Sequence, residues 1–506
     1  MNAPVRFRLM TVAIAAAGSL ALTACSGGGS VPGSPAESAS LTVGLIAEPT
    51  NLDIRHTSGA ALEQALIGNV YEGLVARAID GDQVVPALAE SWEVSDDALT
   101  YTFHLADGVS FHDGSPMTSA DALASLTTVK SDPSVNNHAV LADAADISAP
   151  DESTITITLD APNQNFLFAL TGPAGLVLPA EDDTDRRTAA NGTGPFTLDS
   201  WSRGDALSLV RNEDYWGEPA GVAEVSFVYF GDQAALVSGG RDGSVDAMPA
   251  IDPELSSQLS GEFTIVEATT TDKFILAFNS AAAPLDDVRV REALRRAIDH
   301  DAILAAVGAA EPLFGPIPPL DPGYEDLAGI VPHDPEGARK LLAEAGVEDL
   351  SLELTISNHY GPRLPTLLVS AFADIGVALE VNTVEFATWL SDVHDPSTRR
   401  DWQLSIVNHV EPRDFSTWTD PDYYYAIHDE AVLTAVQERY AEAMAEIDQD
   451  ASAELLAEAA QLVAEWHPAD WLYVRQDVIA VAPGVTGFPT AATSTRLPLA
   501  GVTVER

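Results

Sequence analysis

The segment Trp402–Tyr425, WQLSIVNHVEPRDFSTWTDPDYYY, gathers residue types that could bind a small molecule. It carries two tryptophans, three tyrosines and four acidic residues, and it begins with a predicted strand. Aromatic side chains with a few convergent polar groups are typical of a concave small-molecule site. We therefore take Trp402, Asn408, Glu411 and Trp418 as candidate ligand-binding residues. Two alternatives stay open: Glu411 pairs with a neighbouring surface arginine, and the two tryptophans pack in a core.

The sequence contains no pattern typical of a catalytic centre. The nucleophile motif G-x-S-x-G, the zinc motif H-E-x-x-H and the phosphate-binding loop G-x-x-x-x-G-K-S/T are absent. Eleven histidines are scattered along the chain, and His112, His409 and His428 each lie near an acid without forming a ligand set. We predict no enzyme activity, no catalytic residue, no resident metal and no cofactor.

Charge and length narrow the function classes further. The 506 residues include 76 acidic and 25 basic residues, and removal of residues 1–24 would take away two arginines and no acid, leaving a formal charge of −53. So acidic a surface disfavours nucleic acids and other phosphate-rich partners and favours solubility. The length and the 46% apolar content predict two or more domains with large cores.

The N-terminus predicts export and membrane attachment. Arg6 and Arg8 precede an apolar run from Leu9 to Leu22 that is too short for a comfortable membrane span, as in a signal peptide. Leu22-Thr-Ala-Cys25 resembles the lipobox at which bacterial lipoproteins are cleaved and acylated. Cys25 is the only cysteine, so no disulfide can form within one chain. The Gly-, Ser- and Pro-rich residues that follow predict a flexible tether.

The stretch Pro86–Asp121 predicts a β-hairpin followed by a capped helix. Apolar and polar residues alternate before Asp96-Asp97 and again over Leu99–Leu105, as in two half-buried strands joined by a turn. Thr118 and Asp121 then have the spacing of a capping box, which opens a helix.

This stretch resembles a hallmark of the family 5 solute-binding proteins of ABC importers, a group that includes oligopeptide, dipeptide and nickel binders. The family pattern is an acidic-Ser-Trp strand, a Tyr-x-Phe-x-Leu strand and Gly-Val-x-Phe-His-Asp-Gly-x-Pro, matched here by Glu90–Trp92, Tyr101–Leu105 and Gly108–Pro116. The strings at Gly192–Phe196 and Asp334–Gly346 are further marks of the family. The resemblance covers essentially all of residues 41–506.

The resemblance implies an α/β, two-lobe, periplasmic-binding-protein-like fold of type II, with an extra subdomain in lobe one. The expected organisation is a lipoprotein signal peptide at 1–24, a tether at 25–40, lobe one at 41–268 with its subdomain at about 53–172, lobe two at 269–475, and a return to lobe one at 476–506. We expect Phe274–Asn279 and Trp471–Val481 to be strands that cross between the lobes. The apolar face of Asp286–Val307 predicts one helix.

The resemblance also implies the function: capture of a peptide or similar amine-bearing solute between the lobes and delivery to the permease subunits of an ABC transporter. Thr57, Ser58 and Gly59 are expected at the cleft. Glu411 is expected to hold the solute's ammonium, with Glu in place of the usual Asp. A metal chelate of the nickel type or another small organic solute is the alternative ligand, and a secreted hydrolase is the alternative from another class. We expect a monomer, lipid-anchored through Cys25 on the extracytoplasmic face of the cell membrane.

Overall fold

The structure of the protein is a computed structural model. It describes residues 39–79, 81, 83–347, 349–395, 402–491 and 496–505. The predicted signal peptide, the predicted acylation site at Cys25 and nearly all of the predicted tether lie outside these residues.

The described residues form strands and helices, with runs of consecutive strands in the first half of the chain. The strands are β1 Ser40–Leu45, β2 Val75–Arg77, β3 Val84–Pro86, β4 Ala89–Val94, β5 Thr100–Leu105, β6 Ala144–Asp151, β7 Thr154–Leu159, β8 Phe196–Ser202, β9 Ala206–Arg211, β10 Glu224–Tyr229, β11 Ala247–Ile251, β12 Thr264–Phe278, β13 Ala310–Glu311, β14 Ser351–Ser357, β15 Ala378–Val384, β16 Leu404–His409, β17 Ala469–Val481, β18 Val485–Thr486 and β19 Thr503–Val504. The helices are α1 Ala60–Leu66, α2 Ser119–Ser131, α3 Ala139–Ala142, α4 Phe166–Ala169, α5 Gln233–Asp242, α6 Pro253–Ser256, α7 Val288–Ala297, α8 His300–Val307, α9 Pro335–Ala345, α10 Arg363–Asp374, α11 Phe386–Trp389, α12 Glu430–Ala445 and α13 Gln449–Trp466.

One mixed sheet of eleven strands runs through the protein. Its order is β15-β14-β16-β12-β17-β11-β1-β10-β9-β8, with β13 beside β17. The long strands β12 and β17 pair antiparallel from Thr264 and Val481 to Ala277 and Ala469, and the predicted crossing strands are confirmed as strands. The two predicted lobe boundaries fall inside β12 and β17 and stay predictions. We call β1–β11 with α1–α6 the first region, and β14–β16 with α7–α13 the second region.

Two large cores lie in the first region, and a smaller one surrounds α5 and β11. β1 pairs parallel with β10, and the main core beneath them also includes Leu497, Leu499 and Val502 from the end of the chain. A separate four-stranded sheet, β4-β5-β7-β6, covers the second core. The predicted hairpin is confirmed as β4 and β5, because alternate residues of β5 are buried. The capping box at Thr118 and Asp121 is confirmed at the start of α2.

The second region covers both faces of its part of the sheet. In β12, Ile275 and Ala277 pack into a core with α12 and α13, whereas Leu276 and Phe278 pack into another with α7, α9 and α10. This alternation follows from the period of two in a strand, whose successive side chains point to opposite faces. A strand covered on both sides therefore reads as a continuous apolar run.

Two helix predictions need correction. The single helix predicted over Asp286–Val307 is two helices, α7 and α8, because Ile298 is extended and Asp299 caps the second helix by accepting from the amide of Ala302 at 3.1 Å. Helix α12 was not predicted, although Asp429 caps it in the same way. An aspartate that satisfies the free amides of a first turn can begin a new helix inside a helical pattern.

Candidate functional site

The carboxyl edge of the second region's parallel strands brings two loops together. β14 runs parallel to β15 and to β16, so the loop after β14 and the loop after β16 leave the same edge of the sheet. The amide of Asn408 donates to the hydroxyl of Tyr360 at 3.3 Å and joins the two loops. In open α/β sheets, ligands bind beyond the carboxyl ends of the strands.

An aromatic groove opens at this edge. Phe274 stacks on Tyr473 with ring centroids 4.7 Å apart and meets Tyr360 edge-on at 5.8 Å. With His359 and Arg363, these rings line an open cavity of about 940 Å³. The volume is in the range of known small-molecule sites.

Asn408 holds an unused acceptor next to the groove, beside Phe274 and Tyr360. It is the cross-strand partner of Phe274 in the β12–β16 pair. Its Oδ1 is buried without a hydrogen-bond partner among the described residues. Leaving a buried acceptor unsatisfied costs about 1–3 kcal/mol. A donor on a bound molecule would recover that free energy.

A buried ion pair fixes the loop that follows β16. The Lys273 ammonium lies 3.0 Å from Asp414 Oδ1 and also donates to the backbone oxygen of Glu411 at 3.1 Å. The Lys273 and Asp414 side chains are only 3% and 9% exposed. Burial alone would raise the pKa of Asp414, but Lys273 and His409 hold it below its usual value. Thr271 adds a second tie from β12 by donating to the oxygen of Val410 at 3.2 Å.

Three side chains that could bind a metal ion lie close together at this loop. His409, Glu411 and Asp414 each offer a ligand atom, and these atoms lie within 4.8 Å of one another. The Lys273 ammonium already neutralises Asp414 there, and a second cation beside it would be repelled. The donor set therefore fits an internal ion pair better than a divalent ion.

Glu411 itself is exposed at the end of this loop. Its carboxylate makes no ion pair with Arg413 or with another described residue. The Arg413 guanidinium instead lies over the ring of Phe168, which belongs to the first region, at 4.0 Å from the ring centroid. The backbone amide of Arg413 donates to Asp321 at 2.7 Å. The Glu411 carboxylate thus stays available to solvent or to a solute.

The other predicted site residues lie in two further places. Trp402 and Trp418 are each 3% exposed and belong to the core between β12 and helices α12 and α13. These two rings therefore pack in a core, which is the alternative to a role in ligand binding. Thr57 is half-buried, and Ser58 and Gly59 are exposed before α1. The hydrogen bonds of Thr57 run to first-region residues, namely Asn51 and Asn136. The structure therefore places Asn408 beside the groove, Glu411 on the following loop near His409 and Asp414, and the two tryptophans in the core.

Sequence reasoning missed Phe274, Tyr360 and Tyr473 because each reads as an ordinary core residue of an apolar segment. Lys273 carried a usable signal. It stands with Asp272 before the apolar run of β12, and a lysine is rarely buried unless it is paired. A charged residue at the start of a buried strand indicates a fixed partner elsewhere in the chain.

Known proteins share both sequence and fold with this chain. Residues 83–429 match the family described as "Bacterial extracellular solute-binding proteins, family 5 Middle". The chain belongs to this family. Di/tripeptide-binding protein 2 of Pseudomonas aeruginosa is 29% identical over 448 residues, which cover 78% of this chain and 84% of that protein.

Solved structures agree with this assignment. The periplasmic binding protein DppA from Helicobacter pylori, in complex with the peptide STSA, has a TM-score of 0.74 at 21% identity and covers 93% of this chain and 98% of its own. AgaA from A. tumefaciens R10, in complex with agropinic acid, has a TM-score of 0.73 at 26% identity and covers 92% and 99%.

The family membership confirms the α/β, periplasmic-binding-protein-like fold and the role as an extracytoplasmic solute-binding protein of an ABC importer. Family 5 members bind solutes rather than transform them. Among the described residues, no helix is both long enough and apolar enough to cross a membrane.

Proposed function

We propose that this protein captures a short peptide or a similar amine-bearing solute and passes it to the permease subunits of an ABC transporter. The observation that carries the proposal is the aromatic groove at the carboxyl edge, beside which Asn408 holds an unused buried oxygen. The likeness to a di/tripeptide-binding protein across 78% of the chain supports the solute class. A monomer suffices for this role, since one chain supplies the whole groove.

In this proposal, two groups of one loop receive the solute's ammonium. Asn408 Oδ1 accepts one hydrogen bond, and the Glu411 carboxylate, three residues on, supplies the opposite charge. Thr57, Ser58 and Gly59 would approach from the first region when the protein closes. Such an ion pair is exposed before closure and screened from water afterwards, and closure therefore strengthens it.

Removal of the Glu411 charge tests the proposal. We expect Glu411→Gln to weaken binding of the solute by about 2–5 kcal/mol, mostly through faster dissociation. The reason is that the solute's charge would then be enclosed without a partner of opposite charge. The measurement is titration calorimetry with the ligand that native mass spectrometry identifies in the purified protein.

The matched control is Glu380→Gln, since Glu380 is exposed on β15 away from the carboxyl edge. Asp414 cannot serve as a control because it neutralises the buried Lys273. A loss smaller than about threefold for Glu411→Gln, well under the ~1.4 kcal/mol of a tenfold change, would remove Glu411 from the site.

Another small organic solute is the second candidate. It is supported by the 26% identity to AgaA, whose crystallised ligand is agropinic acid. Native mass spectrometry separates the candidates, because a peptide, an organic acid and a metal chelate leave different retained masses. This loop is poorly suited to coordinate the metal of a chelate directly, because the Lys273 ammonium already neutralises Asp414.

We also propose lipid anchoring through Cys25. The support is the lipobox-like Leu22-Thr-Ala-Cys25 before a tether of small residues. Cys25→Ser should release the protein from membranes, because it removes the sulfur that carries the acyl group. Membrane fractionation with and without detergent measures the release. A variant that stays in the membrane fraction would contradict the proposal.

A further inference from the structure

A second cavity lies inside the first region, away from the aromatic groove. It has a volume of about 460 Å³ and is bounded by the end of α1, the start of β2 and the turn at Tyr215-Trp216. Arg496 and Pro498, near the end of the chain, close another side. None of its lining residues belongs to the groove beyond β14 and β16.

The cavity contains a buried carboxylate that only neutral groups contact. Glu72 accepts hydrogen bonds from the Tyr215 hydroxyl at 2.7 Å, the Trp216 indole at 2.9 Å and the Thr193 hydroxyl at 2.8 Å. Burial raises the pKa of Glu72, and these three donors oppose that shift. The donors favour the ionised form without supplying a positive charge, so a bound cation would be the first positive charge in contact with this carboxylate.

A second carboxylate, Glu63 of α1, lines the same cavity and makes no hydrogen bond or ion pair through its side chain among the described residues. Burial raises its pKa to about 7, and the nearby charge of Arg77 offsets only part of that shift. Two acids thus border one partly enclosed space, and neither has a cation in direct contact.

The two arginines at the cavity are engaged elsewhere. Arg496 donates to the backbone oxygens of Arg77 and Gly81, at 3.1 and 2.7 Å. The Arg77 guanidinium lies over the Phe168 ring at 5.1 Å from its centroid. Their charges balance the surroundings but leave the carboxylates of Glu63 and Glu72 without a direct ion-pair partner.

We propose that this cavity is a second ligand site, separate from the solute groove, and that it binds a small organic ammonium ion with an apolar body. The ammonium would lie between Glu63 and Glu72. The apolar body would contact Ile67, Val75 and the Trp216 ring, and the ring face would add a cation–π attraction. An anion of the same size would be repelled by the two carboxylates.

Titration calorimetry with phenethylammonium tests the site. The neutral control ligand is 2-phenylethanol, and phenylacetate is the anionic control. Wild-type protein should bind phenethylammonium more tightly than either control. Glu63→Gln keeps the side chain's shape and removes its charge. It should weaken phenethylammonium binding about tenfold, which corresponds to ~1.4 kcal/mol. Ala76→Leu narrows the cavity and should weaken phenethylammonium binding as well.

Two variants locate the bound probe. Glu93→Gln changes an exposed acid on β4 outside the cavity lining and should leave binding unchanged. Glu411→Gln, on the loop after β16, should also leave it unchanged. Glu63→Gln should not lower the melting temperature, because Glu63 makes no side-chain hydrogen bond that the variant would break and its buried charge does not stabilise the folded protein.

The acidity of the cavity supplies an independent readout. Glu63, Glu72, Glu90, Arg77 and Arg496 are the charged groups that line it, and burial raises the pKa of Glu63 to about 7. Phenethylammonium binding should therefore weaken as pH falls below about 7, and Glu63→Gln should reduce this dependence. Equal binding of the three probes, no binding, or a loss in Glu411→Gln without a loss in Glu63→Gln would overturn the second site. A loss in Glu411→Gln alone would place the amine at the proposed solute site instead, so failure of the second site is distinguishable from failure of the proposed function.

Discussion

Lys273 shows how one buried charge can hold a binding loop in place. Its ammonium is surrounded by Asp414 and by the backbone oxygens of Thr271 and Glu411, all within 3.5 Å. A buried ion pair seldom adds much net stability, because the desolvation of both charges offsets their attraction. Its loss is nevertheless costly, since the remaining charge has no partner.

We predict that Lys273→Met lowers the free energy of unfolding by about 3–5 kcal/mol, because Asp414 is left ionised and buried. Lys340→Met is the matched control, since the Lys340 side chain is 79% exposed and its pair with Glu344 should contribute at most about 1 kcal/mol. Urea unfolding followed by circular dichroism measures both variants. A loss below about 1 kcal/mol for Lys273→Met would mean that the pair is solvated in solution.

At this scale the sequence predicted part of the site. The Glu411 loop was found because acid, proline and aromatic residues follow a strand. Asn408 was chosen with it, and its buried oxygen gives a physical reason for the choice. Phe274 and Tyr473 could not be identified, because their ring stacking depends on strands whose residues are about 200 positions apart.

Among the elements, helix α13 ends at a histidine that must stay neutral. His467 closes the helix in the left-handed conformation, with φ of 55°. Arg295 Nη1 donates to His467 Nδ1 at 2.9 Å, so that nitrogen must be an acceptor. Burial, with the charges of Arg295 and Arg291, lowers the pKa of His467 to about 3.

This pKa predicts a pH dependence of stability with a definite sign. Between about pH 3 and 6.5 the unfolded chain protonates His467 but the folded chain does not, so this residue's contribution falls as pH falls, by about 1.4 kcal/mol per pH unit. We predict that His467→Asn, which tolerates the left-handed conformation, loses this dependence. The free energy of unfolding of each protein, measured in urea at pH 7 and pH 5, gives the test. Every other titrating group is common to both proteins and cancels in the difference. If the two proteins differ in free energy of unfolding by the same amount at pH 7 and at pH 5, His467 is not held neutral in the folded protein.

The secondary-structure elements are predictable from the sequence where a local pattern or an end signal is clear. The hairpin β4–β5 follows from alternation, and α9 follows from Pro335 and the glycine at 346. The apolar spacing continues through the break between α7 and α8, so the sequence pattern does not predict the break. The structure reveals it, because the backbone amide of Ala302 donates a hydrogen bond to the Asp299 side chain. Helix α12 has a weak apolar face, and packing against α13 rather than periodicity stabilises it.

The molecule as a whole should close on its solute. Two contacts join the two regions: Arg363 with Glu254, and the backbone amide of Gln164 with the backbone oxygen of Met444 at 3.2 Å. A ligand that binds only the folded form stabilises it by RT ln(1 + [L]/Kd), about 2.7 kcal/mol at a hundredfold excess over Kd.

We therefore predict that the retained ligand, added back to stripped protein, raises the melting temperature and reduces the radius of gyration in small-angle X-ray scattering. Glu411→Gln at the same ligand concentration should show smaller changes in both. A ligand that raises the melting temperature but leaves the scattering profile unchanged would contradict closure and would favour a preformed site.

The order in which the chain is made has a consequence for the large sheet. β17 lies between β11 and β12, yet its partners on β12 precede it by about 200 residues, so the middle of the sheet stays open until residues near 481 have been synthesised. Pairing at such separation is slow. A chain that the N-terminal sequence predicts to be exported would thus remain without its complete sheet during synthesis. β17, the last strand of this sheet to be made, would thus keep the sheet incomplete until synthesis nears its end, which would favour export of an unfolded chain.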